Sequence, residues 1–118
     1  MADILTDLQS KIAARRAEKE EGSYTAYLFE KGLDKILKKV GEESAETIIA
    51  AKNLKAADAA DAGERRAELL GEIGDLLYHL EVMMAELGVG ADEVEGVLRA
   101  RMEKQGNLKQ AHAQSQQS

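Results

Sequence analysis

The chain contains no cysteine and no proline, and it has few aromatic residues. The absence of cysteine from all 118 residues excludes disulfides, thiolate zinc sites and cysteine nucleophiles. Without proline, and with aromatic residues at 3%, the composition is typical of a helical protein and unsuited to a β-sandwich or barrel. A chain of this length has room for one core. These absences predict a single all-α domain.

Long apolar runs and an excess of positive charge are also missing. The apolar runs are only a few residues long, and no basic segment followed by an apolar block opens the chain, so we expect a soluble, cytoplasmic protein without a membrane segment. A net charge of -6 argues against binding to nucleic acid, because that requires a cationic face. An anionic small substrate would therefore need a metal ion or a local basic cluster.

Apolar residues recur at helical spacing in four segments. This pattern predicts helices over residues 3–20, 33–54, 64–87 and 91–104. Residues 22–32 hold two of the three tyrosines and the only phenylalanine, and we predict an ordered loop or short turn there. Residues 55–63 fit either a loop or frayed helix ends. The Gln- and Ser-rich segment 105–118 has no apolar period, which predicts a helical domain over 1–104 and a disordered tail.

The third predicted helix is apolar around most of its circumference between Leu69 and Leu87. A helix of this kind is buried on nearly every side, which four helices of one chain would hardly achieve. We therefore predict a homodimer. Gly71 and Gly74 each cost about 1 kcal/mol relative to Ala within a helix. They either allow another helix to approach closely or are merely tolerated.

Two pairs of acidic residues are spaced three residues apart on the second and third predicted helices. Glu43 with Glu46, and Glu72 with Asp75, each project from one helix face. In a chain with 32% charged residues such pairs also arise by chance on a solvated surface. However, Glu43 lies at the border of the apolar stripe, and the second pair shares a narrow polar strip with His79. These positions favour a functional site over a solvated surface.

Four carboxylates that face one another must either take up protons or hold cations. Two such groups about 4 Å apart repel each other by roughly 4 kcal/mol at an effective dielectric constant of 20. Oxygen ligands favour a hard ion, so the predicted cofactor is Mg²⁺, with Mn²⁺ as a substitute.

Three stretches carry a family resemblance. They are GSYTAYLFEKG at 22–32, KILKKVGEESAE at 35–46 and EIGDLLYH at 72–79. Together they resemble the phosphoribosyl-ATP pyrophosphatases of histidine biosynthesis, a branch of the MazG-like all-α nucleotide pyrophosphatases. The resemblance implies a bundle of four to five helices and hydrolysis of phosphoribosyl-ATP to phosphoribosyl-AMP and pyrophosphate by water attack at the α phosphate. It also implies a functional link to phosphoribosyl-AMP cyclohydrolase, the next enzyme of the pathway.

The resemblance also implies roles for individual residues. The expected metal ligands are Glu43, Glu46, Glu72 and Asp75, and either Glu42 or Glu46 would orient the attacking water. From their positions in the sequence, the expected substrate contacts are Ser23, Tyr24, Thr25 and Lys39; the alternatives are that the tyrosine caps the core and that the lysine belongs to a solvated face. Because His79 follows Asp75 by four residues, it would hydrogen-bond that carboxylate and fix its orientation, or it would be purely structural.

Two other functions remain open from the sequence. A housecleaning pyrophosphatase acting on dUTP or damaged nucleotides would use the same four acids and differ only in substrate. A non-catalytic helical interaction module would carry the acids as surface charge and would show no response to metal.

Overall fold

The computed structural model describes residues 3–19 and 21–104, which form five α-helices. The helices are α1 (Ile4–Glu18), α2 (Tyr24–Lys31), α3 (Leu33–Ala56), α4 (Ala62–Leu87) and α5 (Ala91–Glu103). These residues include no β-strand, which confirms the predicted all-α class. The tail predicted over 105–118 lies outside the described residues. None of the five helices is long and apolar enough to cross a membrane.

The prediction of an ordered loop or short turn over 22–32 is wrong, because this segment contains the helix α2. Its first turn is capped by Ser23, whose hydroxyl oxygen accepts a hydrogen bond from the backbone N–H of Ala26 at 3.2 Å. The helix ends at Gly32, where a φ of 93° favours glycine. Eight residues are too few for apolar periodicity to separate a helix from an ordered loop.

The connection between α3 and α4 is shorter than the ambiguous segment 55–63. Helix α3 continues to Ala56, and α4 begins at Ala62. Between them the side chain of Asp58 accepts a hydrogen bond from the backbone N–H of Asp61 at 3.0 Å, which stabilises the turn. A short connection of this kind places two long helices side by side, and α3 and α4 form the most extensive helix pair of the fold.

The core is built from one fully buried residue of each of the first four helices. These residues are Ile12, Leu28, Ile36 and Val82. Half-buried residues pack around them: Leu8, Phe29, Tyr78, Met83 and Ala85. Helix α5 lies at the side of this core and contacts α1. The core thus fixes α2 against both long helices, which matters for the site described below.

A broad apolar surface on α3, α4 and α5 is left uncovered by the chain itself. The most exposed residues include Ile48 at 65% and Leu70 at 60%. Others on the same helices are Ile49, Ile73, Leu77, Val97, Leu98 and Met102. Within one chain, therefore, α4 is not buried on nearly every side. No atom beyond the local helix backbone lies within 4 Å of a Cβ placed at Gly71 or Gly74, so no described helix approaches closely there.

Candidate metal site and adjoining groove

Three carboxylates meet between the two long helices. Glu43 and Glu46 come from one face of α3, since they are three residues apart, and Glu72 comes from the facing side of α4. One oxygen from each lies within 4.8 Å of the others. Glu43 is only 7% exposed, whereas Glu72 is half-buried and Glu46 is open to solvent. The group therefore has a buried inner side and an accessible outer side.

The electrostatics of this group favour an added positive charge. Hydrogen bonding to the carboxyls of Glu46 and Glu43, together with burial and their negative charge, raises the pKa of Glu72 from 4.5 to about 7. One buried oxygen of Glu43 and one of Glu72 have no hydrogen-bond partner among the described residues. Carboxylates crowded in this way share a proton or bind a cation, and oxygen ligands suit Mg²⁺ or Mn²⁺.

Two of the predicted acids lie outside this three-carboxylate group. Asp75 is exposed on α4 and does not reach within 4.8 Å of the others. Glu42 is bound by two lysines instead: its carboxylate oxygens lie 3.2 Å from Nζ of Lys39 and 4.0 Å from Nζ of Lys38. The hydrogen bond to Lys39 lowers the pKa of Glu42 and raises that of Lys39. Glu42 is therefore an ionised partner of the lysines.

His79 connects α4 to α2 rather than to the carboxylate of Asp75. Its Nδ1 lies 2.8 Å from the backbone carbonyl oxygen of Asp75, and its Nε2 lies 2.9 Å from the hydroxyl of Tyr24. The expected hydrogen bond to the Asp75 side chain is thus replaced by one to the main chain. Because Nδ1 faces an acceptor, the neutral ring donates there and accepts from Tyr24 at Nε2. His79 is almost fully buried, which suits this positioning role.

The predicted substrate-contacting residues occupy different depths of the structure. Thr25 is 1% exposed, and its hydroxyl is hydrogen-bonded to the hydroxyl of Tyr78. A buried hydroxyl with an internal partner has no route to a ligand in this conformation, so Thr25 supports Tyr78 instead. Ser23 is half-buried and caps α2, whereas Tyr24 is exposed along much of its ring.

An open groove of about 1010 Å³ lies beside Tyr24, between the end of α1 and α2. It is lined by Arg16, Lys19, Glu21, Gly22, Ser23, Tyr24, Ala26, Tyr27, Phe29 and Glu30. Sequence reasoning predicted only Ser23 and Tyr24 among these residues. The close spacing of aromatic residues between Gly22 and Gly32 was the available signal, but the contribution of α1 depends on tertiary packing.

Tyr24 contacts α4 from the edge of the groove. Burial raises the pKa of its hydroxyl, the charge of Lys39 lowers it, and Tyr78 and Glu43 raise it. The hydroxyl of Tyr24 is hydrogen-bonded to His79 of α4, while the residue also lines the groove. Tyr24 thus connects the groove to α4, the helix that carries Glu72.

Comparisons with known proteins identify the family of the chain. The family described as "Phosphoribosyl-ATP pyrophosphohydrolase" matches residues 5–102. A "Phosphoribosyl-ATP pyrophosphatase" of Streptococcus thermophilus is 50% identical over 105 residues, which are 89% of this chain and 91% of that protein. A "Phosphoribosyl-ATP pyrophosphatase" of Pelotomaculum thermopropionicum is 49% identical over 102 residues, 86% of this chain and 94% of that protein.

A longer relative also matches. The "Histidine biosynthesis bifunctional protein HisIE" of Halalkalibacterium halodurans is 52% identical over 98 residues, which are 83% of this chain and 42% of that protein. The family match covers all five helices almost completely and includes the three-carboxylate group. On this evidence the chain belongs to the phosphoribosyl-ATP pyrophosphohydrolase family.

Proposed function

We propose that this protein hydrolyses phosphoribosyl-ATP to phosphoribosyl-AMP and pyrophosphate, as a step of histidine biosynthesis. The observation that carries the proposal is the three-carboxylate group of Glu43, Glu46 and Glu72, in which buried oxygens of Glu43 and Glu72 have no hydrogen-bond partner among the described residues. Such a group provides a metal site, and the groove provides space for the remainder of a nucleotide. Membership of the family supports the choice of substrate.

The residues present fit a divalent metal ion. Glu43, Glu46 and Glu72 would hold Mg²⁺, or Mn²⁺ in its place, and Asp75 would be a further ligand, since it lies one helical turn from Glu72 on the same face. The ion, when bound, would neutralise charge on the polyphosphate and on the departing pyrophosphate. It would also satisfy the buried oxygens that have no partner among the described residues.

Glu46 is better placed than Glu42 to orient the attacking water. Its carboxylate is exposed at the open side of the group, where a water molecule and a phosphate can both reach it. Glu42 is held by Lys39 and Lys38 and does not face the group. We therefore assign the water-orienting role to Glu46, which would accept the proton as the new bond to the α phosphorus forms.

Three further side chains, those of Lys39, Tyr24 and Ser23, would contact the phosphates, ribose or base of the substrate. Lys39 is half-buried at the border of the site, and its pKa is raised, so it stays protonated and can pair with a phosphate oxygen. The hydroxyl of Tyr24 donates to His79 and keeps the ring in place. Ser23 lines the groove while it caps α2, and its hydroxyl hydrogen stays available to a ligand.

We propose that residues 1–104 act as one domain and that a second copy of the chain covers the apolar surface of α3, α4 and α5. Many large apolar side chains on these helices are exposed, such as Ile48, Leu70 and Leu98, and exposed apolar surface of this extent is typical of an interface. The bifunctional relatives support a functional link to the cyclohydrolase reaction, because their name describes two activities in the same pathway.

The direct test incubates the protein with phosphoribosyl-ATP and Mg²⁺ and measures pyrophosphate and phosphoribosyl-AMP. We expect release by the wild type and by Glu18→Gln, an exposed acid of α1, and loss of at least about a hundredfold in Glu46→Gln. Cleavage of dUTP but not of phosphoribosyl-ATP would instead establish a housecleaning enzyme. No cleavage of any nucleotide would favour the interaction module.

A further inference from the structure

Three lysines and one glutamate form a strip on α3 that we call the lysine strip. Its members are Lys35, Lys38, Lys39 and Glu42, which project within about 100° of one another around the helix axis. Nζ of Lys39 lies 3.2 Å from one carboxylate oxygen of Glu42, and Nζ of Lys38 lies 4.0 Å from the other. The strip therefore carries three ammonium groups and one carboxylate, an excess of two positive charges.

Other acids do not cancel this positive charge through ion pairs. Among the described residues, Glu42 is the sole acid in an ion pair with these lysines, and Asp34, in the first turn of α3, makes none. Besides the hydrogen bond from Lys39, the charges of all three lysines lower the pKa of Glu42. This effect agrees with the position of Lys35, which lies one turn before Lys39 on the same side of the helix.

Glu42 occupies the place that an external anion would take between the lysines. Its side chain is 40% exposed and that of Lys38 is 66% exposed, so a ligand can reach both from solvent. An ion pair between exposed side chains is weak, because water screens it. An anion with several charges, such as a polyphosphate, pairs more strongly with ammonium groups and can therefore displace Glu42.

The lysine strip adjoins the three-carboxylate group along α3. Glu42 precedes Glu43 directly in the chain, and Lys39 lies one turn, or about 6 Å along the helix axis, from Glu43. Lys35 lies a further turn towards the start of the helix. A triphosphate that extends from the carboxylates towards the start of α3 would therefore place its two outer phosphates beside these lysines.

We propose, on the basis of the proposed function, that Lys35, Lys38 and Lys39 bind the pyrophosphate half of the substrate and that Glu42 competes with it for the same ammonium groups. Glu42 pairs with the lysines while the strip is empty, and the more highly charged β and γ phosphates replace it when the substrate binds. After hydrolysis Glu42 returns, because its attachment to the same helix keeps it close to the lysines. Its return favours the departure of pyrophosphate, and no bond of Glu42 is made or broken.

Binding of inorganic pyrophosphate tests this competition without any cleavage. In calorimetry with the full chain and Mg²⁺, Glu42→Gln should bind pyrophosphate about tenfold more tightly than the wild type, because the competing charge is removed. Asp34→Asn is the matched control, since it removes a charge from the same helix without breaking an ion pair, and its affinity should change by less than about twofold. Unchanged or weaker binding in Glu42→Gln overturns the proposal, and so does an equal gain in both variants.

Variants of the lysines locate the binding site. Lys35→Gln and Lys38→Gln should each weaken pyrophosphate binding several-fold, whereas Lys52→Gln, which changes an exposed lysine of α3 outside the strip, should leave it unchanged. Full affinity in both strip variants places the pyrophosphate elsewhere and contradicts the proposal. Cleavage of phosphoribosyl-ATP by the wild type without these changes in affinity would refute the role of the lysine strip alone, whereas no cleavage would refute the proposed function.

Discussion

The hydroxyl of Tyr24 lies 2.9 Å from Nε2 of His79, a hydrogen bond between residues 55 positions apart that ties α2 to α4 beside the three carboxylates. Its other ring nitrogen is held by the main chain of α4. The imidazole is therefore fixed at both nitrogens, and it fixes the tyrosine that faces the groove. This hydrogen bond joins two helices that are far apart in the sequence, beside the groove where a nucleotide would bind.

Removing the Tyr24 hydroxyl should test this connection. Tyr24→Phe keeps the ring but leaves Nε2 of a buried histidine without its donor, so the free energy of unfolding should fall by about 1–2 kcal/mol. Urea denaturation measures the change. Tyr27→Phe is the matched control, because the Tyr27 hydroxyl makes no hydrogen bond to residues 3–19 or 21–104, and its midpoint should stay near that of the wild type. Equal losses in both variants would contradict the role of His79.

The stability of the metal-free protein should depend on pH through Glu72. Its pKa is raised from 4.5 to about 7 in the fold, so the folded state binds this proton more tightly than the unfolded chain does. The corresponding stability is fully present below pH 4.5 and is lost as pH rises through about 7. Urea midpoints in EDTA between pH 5 and about 8 should therefore fall, and Glu72→Gln should flatten this part of the curve. A slope that persists in the variant would assign the effect to another group.

Divalent metal should stabilise the fold through the same carboxylates. Mg²⁺ or Mn²⁺ that binds only the folded state at about 100 times its dissociation constant adds about 2.7 kcal/mol. The melting temperature should rise with metal at pH 8 and rise less at pH 5.5, where Glu72 is protonated. Glu43→Gln should abolish the shift, whereas Glu18→Gln should retain it. A melting curve that metal does not move would exclude the site.

The buried hydroxyl pair of Thr25 and Tyr78 should show coupling in a double-mutant cycle. Thr25→Val alone leaves the Tyr78 hydroxyl without its partner and should cost about 1–3 kcal/mol of stability. The double variant Thr25→Val with Tyr78→Phe removes both polar groups and should cost less than the sum of the two single changes. Strict additivity would show that the two hydroxyls do not stabilise each other.

Association through the apolar surface of α3 to α5 is tested by adding charge to it. Leu70→Asp places a carboxylate on the uncovered face of α4 and should shift sedimentation from dimer to monomer at micromolar concentration. Ala14→Asp, an equivalent change on an exposed position of α1, should leave the dimer intact. A wild-type chain that sediments as a monomer at all concentrations would refute the predicted dimer.

Helical spacing identified the acidic residues of the candidate site but did not show which of them meet in the fold. The three-residue interval predicts that Glu43 and Glu46 share a face, and the structure brings them to Glu72 on the neighbouring helix. Glu42 is one position from Glu43, so helix geometry turns it about 100° away, where it pairs with Lys38 and Lys39. Spacing alone does not show that Asp75, one turn from Glu72, lies outside the group.

The groove and the histidine contact could not be predicted from periodicity, because both depend on how α2 packs. An eight-residue helix carries too little pattern to be distinguished from a loop, and its partners on α1 and α4 are far away in sequence. The partner of His79 could be placed only once α2 was positioned by the buried side chain of Leu28 in the core. The main elements follow from the sequence, but contacts between distant elements do not.

The three carboxylates all come from consecutive helices joined by the short connection 57–61. The candidate metal site is therefore encoded in one uninterrupted stretch of about thirty residues, from Glu43 to Glu72, whose geometry is set by a single helical hairpin. Extra sequence added before α1 or after α5 does not separate the ligands along the chain. The geometry of the three ligands therefore depends on this hairpin and not on the total length of the chain.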